Sequence, residues 1–252
     1  RRAEWAIAPD RFPVPQQAAT TDAFPFLLWE QRLPLLRTGP DVDPVLDAGK
    51  RHNVGLAAAA FDGVVVSPER PFSFWRCVGP LTAERGFVFV MELRGGCIVP
   101  AVGGGVCLIS NALFRAAASL DFAILERHGH SAEAVAPGPG ELWGLDATTF
   151  FPYVDLRFAP RSGSVRLGVV VSGDELVVRV DGEHEQALAE LCTEDLGVHE
   201  RGPDRVRRGR VWRTAERAGE PITELLLEDE KRLVTAERAR RHCLTCGLHA
   251  CP

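Results

Sequence analysis

The chain has no apolar stretch long enough to cross a membrane as a helix. Runs such as Val64–Val66 and Val169–Val171 are strand-sized, against the ~18 residues that a span requires. Lysine is nearly missing, occurring only at positions 50 and 231, so the basic residues are almost all arginine. The net charge of −5 and the absence of a basic face exclude a nucleic-acid footprint. One arginine cluster, Arg205, Arg207, Arg208 and Arg210, lies beside Glu200 and Asp204 and reads as a solvated strand end. No fixed-period repeat is present, which excludes solenoids and propellers. The seven cysteines are odd in number and not spaced as a disulfide framework. They point to thiol or metal chemistry in a reducing compartment, so a cytoplasmic location is expected. Arg1 and Arg2 are followed by charged and Pro-rich sequence, with no secretory signal in view.

What the chain does contain is the composition of a globular protein, with 46% hydrophobic and 25% charged residues. Residues 1 to about 24 read as an extended Pro- and Ala-rich arm. Phe26–Leu36 reads as a short helix interrupted at Pro34, and Val42–Phe61 as a helix with Asp41 or Asp43 as cap. Gly63–Val66 reads as a strand. Phe87–Leu93 and Ile98–Val102 form a hairpin around Gly95 and Gly96. Val106–Leu120 carries Val106, Ile109, Leu113 and Ala117 at helical spacing, the clearest helix signal in the chain. Phe122–His130 is strand-like, and Ala147–Val180 follows a β pattern with turns at 161–163 and 172–174. Ala187–Cys192 reads as a short helix, Arg210–Thr214 and Ile222–Leu227 as strands about a turn at 218–221, and Leu233–Arg241 as helix-like. Helices preceding a long β half predict an α+β fold, with helices packed on a mostly antiparallel sheet. The expected organisation is an arm and short helix over 1–34, a main domain over 35–230, and a helix with a Cys/His-rich tail over 231–252.

The segment Gly103-Gly104-Gly105-Val106-Cys107 places a thiol at a helix start, where free N–H groups and the helix dipole favour a thiolate. The three glycines allow close approach of a substrate, and their N–H groups are candidate oxyanion donors, with Ser110 a further substrate contact. A second segment, Arg127-His128-Gly129-His130-Ser131, ends an apolar strand. Alternation would point both imidazoles one way. Histidine is the usual base beside a reactive cysteine and the usual metal ligand. Asp146 is the candidate to orient a histidine, with Asp155 a poorer one inside a β pattern. The order is then a nucleophile on a helix followed by partners on successive strands.

Several blocks together resemble the VanW family. They are Pro71-Phe-Ser-Phe-Trp75, Val78-Gly-Pro80, Arg85-Gly-Phe87, Val99-Pro100, Gly103-Gly-Gly-Val-Cys107, Ser110-Asn111 and Glu126-Arg-His-Gly-His-Ser131. They arrive in the family's order and spacing, and with weaker similarity on either side cover roughly residues 35 to 230. The family usually carries Gln directly after the cysteine, where Leu108 stands here. The resemblance implies an association with cell-wall antibiotic resistance, and hence peptidoglycan-related substrates.

The tail His242-Cys243-Leu-Thr-Cys246-Gly-Leu-His249-Ala-Cys251 offers three sulfurs and two imidazoles within ten positions. Zinc would accept this set, an iron–sulfur cluster with an open iron is a second reading, and a Cys-x2-Cys redox pair a third. Cys77, Cys97 and Cys192 read as small buried residues, although Cys97 would neighbour Cys107 if its hairpin folded back.

Three functions are consistent with these residues. The first is a cysteine-dependent acyl-transfer enzyme, hydrolase or amide-forming, acting on a peptide, cell-wall-like or secondary-metabolite substrate, or another small molecule. Here Cys107 is the nucleophile, His128 or His130 moves the proton, Asp146 orients the imidazole and Gly103 to Gly105 bind the oxyanion. The second is a metalloprotein using Cys107, His128 and His130, with or without the tail, for Zn or Fe. The third is a non-catalytic wall or carrier-peptide binding module, whose groove would use the aromatics Phe72, Phe74 and Trp75.

Overall fold

The computed structural model describes residues 22–35, 44–94, 97–133 and 142–234. Among them the chain is mostly β, with thirteen strands in four sheets against three α-helices. The expectation of helices packed on one sheet is therefore corrected: strands dominate, and the longest helix but one is wrapped by them. The first strand, β1 (Phe26–Pro34), occupies a stretch that reads locally as helix. It pairs antiparallel with β10 (Glu175–Gly182), which pairs with β9 (Val165–Ser172), and β9 with the short β2 (Val65–Val66). Leu, Glu, Gln and Arg favour a helix in isolation, but a pairing partner and a buried face outweigh that preference. Pro34 is tolerated because β1 is an edge strand that need not donate at that position.

A second sheet is built from three long strands, β11 (Glu190–Arg201), β12 (Asp204–Arg217) and β13 (Glu220–Leu233). β11 replaces the helix expected over Ala187–Cys192. From Gly209 to Ala215 burial along β12 alternates, with Gly209, Val211, Arg213 and Ala215 inward. Arg213, 2% exposed, interrupts the apolar period and hides the length of the strand from a hydrophobicity reading. Its guanidinium is satisfied by Glu224, Asp121 and the carbonyl of Phe122. The arginine cluster at 205–210 lies on this strand. Its side chains pair with Glu133, Glu194, Glu200, Glu228 and Glu230, as a solvated charged face would. The strand β7 (Ala132–Glu133) joins this sheet in parallel with the end of β13, Arg232 opposite Ala132.

A small third sheet orders β3 (Phe72–Ser73), β8 (Arg157–Ala159) and β6 (Ala123–Glu126). The hairpin β4 (Phe89–Arg94) with β5 (Cys97–Val102) forms as its glycine pair predicts. Two of the three α-helices also follow the sequence pattern, α1 (Pro44–Ala58) and α3 (Cys107–Ser119). The short α2 (Phe74–Val78) is capped by Ser73, whose hydroxyl accepts from the Arg76 N–H. Phe72, Phe74 and Trp75 are each no more than 3% exposed and pack with Phe61 and Phe158, so they are core residues and not a ligand groove. Asp155 is equally buried and accepts from the Ser73 hydroxyl and the Trp75 N–H, holding this block in place.

Helix α3 is the centre of the molecule. Ile109, Ala112, Leu113, Phe114, Ala116, Ala117 and Ala118 are all buried. Its alanines let the strands approach closely. One polar residue fastens α1 to the turn before it. Asn53 is fully buried, donates to the carbonyls of Val88 (3.0 Å) and Gly104 (3.2 Å), and accepts the Val88 N–H at 2.9 Å. Asn53→Ala would leave those three groups unpaired in the interior. A loss of about 2–4 kcal/mol is expected, to be read as a lowered urea midpoint with unchanged m-value. An unchanged midpoint would show that water replaces the amide at no cost.

Candidate active site at Cys107

Cys107 is the first residue of α3, following the turn 103–106. Gly103 and Gly105 adopt φ of +80° and +95°, which side chains resist. A Cβ on Gly103 would meet Leu81 at 2.6 Å, so this glycine serves packing as well as conformation. The Gly103 N–H is spent on the Val88 carbonyl at 3.1 Å, and Gly103 and Gly104 are buried. Of the three, Gly105 alone reaches the surface. The N–H groups of Leu108 and Ile109 close turns onto the carbonyls of Gly105 and Val106. The donors that a thiolate at this helix start would use are thus largely occupied. Leu108 packs against the hydrophobic core.

Three side chains of α3 stitch it to the segment 145–149. Ser110, fully buried, donates to the Ala147 carbonyl at 2.6 Å and to that of Cys107 at 3.1 Å, so its hydroxyl is structural and not a substrate contact. Asn111 accepts the Ala147 N–H at 2.8 Å, and Arg115 donates to the Leu145 carbonyl at 3.1 Å. This stitching brings Thr149 to the thiol, with Oγ1 3.9 Å from Sγ. It also sets Asp146 beside the loop that follows β6, where the Thr148 N–H donates to the His128 carbonyl.

The two histidines separate. His128 is half exposed and lies 3.4 Å from Glu126. His130 turns inward. Its Nδ1 is 2.5 Å from Asp146 Oδ2 and its backbone N–H donates to the same oxygen at 3.0 Å. Its imidazole also interacts with the Cys107 thiol, through hydrogen bonding and charge. Neither residue lies within a strand, since β6 ends at Glu126, so period-two alternation does not apply to them. The structure therefore aligns Cys107, His130 and Asp146 and leaves His128 outside.

Charge explains the electrostatics. Burial opposes a Cys107 thiolate, but the hydrogen bond and charge of His130, with Thr149, outweigh it and lower the thiol's pKa. Burial likewise opposes the His130 cation, yet Asp146 and Cys107 raise its pKa to about 9. Against burial, the hydrogen bond from His130 and the charges of Lys231 and Arg127 hold the Asp146 carboxyl far below the usual carboxylate range. The two groups thus favour each other's charged forms, thiolate beside imidazolium. By contrast, burial and then Asp155 push the Cys77 thiol up, which makes it inert.

The residues that support Asp146 do not stand out in the sequence as site residues. Arg127, its side chain 6% exposed, donates to the carbonyls of Asp146 and Gly144 and to Asp229, and stacks over Phe114. Lys231 reaches Asp146 Oδ1 at 2.5 Å. Arg127 sits inside the quoted histidine block, and Lys231 is one of two lysines in an arginine-rich chain. Those are the faint signals that would have found them. Cys192 is exposed on β11, and the side chain of Cys97 lies outside the described ones. The tail residues His242, Cys243, Cys246, His249 and Cys251 also lie outside the described residues. Among the described residues no group of three His, Cys, Asp or Glu side chains converges as a metal site would require.

An ion pair at Cys107 has a measurable sign. The lowered Cys107 pKa keeps thiolate present at lower pH than in an ordinary cysteine, while above about 9 His130 loses its proton and the pair dissolves. Iodoacetamide at pH 6 is expected to label Cys107 on the order of tenfold faster than the more exposed Cys192. That preference should fade by pH 10. Equal labelling at pH 6, followed by peptide mass spectrometry, would show that no ion pair exists.

Residues 49–180 match the family model described as VanW like protein. The chain is 31% identical over 171 residues, 67% of its length, to the vancomycin B-type resistance protein VanW of Enterococcus faecalis. It is 34% identical over 109 residues, 43% of its length, to the uncharacterized protein YoaR of Bacillus subtilis. It spans 62% of the first relative and 35% of the second. No solved structure matches it significantly.

Proposed function

The chain belongs to the VanW family, and on that premise we propose that it is a cysteine-dependent acyl-transfer enzyme whose reacting groups are Cys107, His130 and Asp146. The observation that carries this reading is the continuous line from the Cys107 thiol through His130 to a carboxylate held ionised. The Cys107 thiolate attacks an acyl carbonyl, forming the C–S bond as the carbonyl π pair moves to oxygen. With the Gly103 N–H spent on Val88 and Gly104 buried, the N–H of Gly105 is the remaining candidate donor for that oxyanion. The tetrahedral centre then collapses, and the leaving amine or alcohol takes the proton from His130. Water or a second amine attacks the thioester, gives its proton to His130, and releases the thiolate. Asp146 keeps His130 in the orientation and charge state both steps need.

The substrate class follows from two considerations. Thr149 touches the thiol, and the turn after it exposes the aromatic rings of Phe150 (50%) and Tyr153 (72%). One relative is named for vancomycin resistance, and the family resemblance implies cell-wall-related substrates. A wall-type or other peptide acyl donor fits both. The competing readings part company on the same protein. A binding module would retain peptide affinity in Cys107→Ala with no turnover in wild type, and a metal site would lose bound metal in that variant.

Activity is to be read as acyl-adduct formation on Cys107 from peptide thioesters or activated esters, by intact-protein mass spectrometry. Cys107→Ala is expected to abolish the adduct. His130→Ala and Asp146→Asn should slow it on the order of 10²–10⁴-fold, while His128→Ala stays within about threefold of wild type, the behaviour of a surface substitution. Equal losses at His128 and His130 would contradict the geometry, and adducts on other cysteines alone would remove the proposal.

A further inference from the structure

The two oxygens of Asp146 are divided between two tasks. Oδ2 takes both the ring and the backbone N–H of His130. Oδ1 takes Lys231 Nζ at 2.5 Å and Arg127 at 3.1 Å. Arg127 is shared among four acceptors, since it also serves two carbonyls and Asp229. Lys231 has a narrower role. Its side chain is 8% exposed, its ammonium lies 5.1 Å from the Trp143 ring centroid, and Trp143 is itself held by Glu133 at 2.8 Å. An ammonium so enclosed is costly unless a carboxylate receives it, and Asp146 is that carboxylate.

The origin of Lys231 matters as much as its contact. It comes from β13, outside the segment 49–180 that the family model matches. The parallel pairing of β13 with β7 carries it there. Arg232 stands opposite Ala132, and its N–H donates to the Ser131 carbonyl at 2.9 Å, one residue from His130. The neighbouring Asp229 reaches the same cluster through Arg127. The long C-terminal strands therefore close the site that the family segment opens.

We propose that Lys231 is a positioning residue of the Cys107 site, its ammonium seated on one oxygen of Asp146 so that the other is left to orient His130. This rests on the reading of Cys107 as the reacting thiol. The charged and titratable groups around the cluster are His130 and Arg127 from the loop after β6, Arg115 from α3, Lys231 and Asp229 from β13, and Cys107 itself. Among them Lys231 contributes a compact positive charge. Removing it takes a positive charge from the surroundings of the thiolate and leaves the Asp146 carboxylate freer to turn, which loosens its hold on His130. Both effects disfavour the thiolate, so the Cys107 pKa moves up towards that of an ordinary thiol.

The test is the pH profile of Cys107 alkylation by iodoacetamide between pH 4 and 10 in the full chain, with folding followed by circular dichroism. In wild type the rate should rise at a pH well below the ordinary thiol range. Lys231→Met, which keeps the apolar stem, is expected to move that rise upward by about one pH unit. Lys231→Arg should restore it to the wild-type position. Should the methionine variant fail to fold, Lys231→Gln keeps a donor without the charge and is expected to show the same upward shift. A depressed wild-type profile that Lys231→Met or Lys231→Gln leaves unmoved would overturn the positioning role and leave Cys107 as the reacting thiol. An ordinary-thiol profile in wild type would instead remove the premise together with the role built on it.

Discussion

A single carboxylate organises the site. Asp146 is largely enclosed, and an enclosed charge persists only where cations and N–H groups answer it. Here the answers come from several parts of the chain: Arg127 and His130 from the loop after β6, and Lys231 from the last long strand. Each of those groups is placed by a different piece of the fold. The position of Asp146 in turn depends on α3, through Ser110, Asn111 and Arg115 gripping the backbone on either side of it. Breaking the cluster would therefore disturb helix, loop and sheet together.

The source of thiol activation changes with this geometry. A cysteine at a helix start invites an explanation from the helix dipole, whose partial charge acts over the first turn. Here the first-turn N–H groups of Leu108 and Ile109 are turned back onto Gly105 and Val106. The stronger influence is the positive charge on His130, which acts on the thiol and is supported by a carboxylate behind it. A whole charge on an interacting side chain outweighs half a charge spread over a turn. The glycines then have a different role. Their positive φ and close packing, as with Gly103 against Leu81, bring the chain sharply from β5 into α3, so that Cys107 emerges beside Thr149.

The β architecture explains why so few helices suffice. Alanine-rich α3 is thin enough to be surrounded by strands on several sides, and its burial supplies the common core of the sheets. The β12–β13 pair extends well beyond that core with a charged face. Its arginine–glutamate pairs are surface interactions of small individual worth, serving solubility more than stability. At two separate places along it the same pair turns structural, where Arg213 and Lys231 are each buried against carboxylates.

What the sequence by itself determined is local and chemical. The glycine turn, the cysteine opening α3, the β4–β5 hairpin, helix α1 and the α3 stripe are all legible, because each depends on neighbours a few residues apart. The family resemblance is legible too, through blocks of residues in order. The choice between His128 and His130, the grip on Asp146 by Arg127 and Lys231, and the strand state of Phe26–Pro34 were decided only by tertiary structure. The reason is the same for all three. Each depends on partners far away in sequence, such as β10 for β1 and β13 for Asp146. Spacing along a chain says nothing of which distant strand will pair with it. Only the folded sheets bring a lysine at 231 to an aspartate at 146, and with it the charge balance on which the thiol depends.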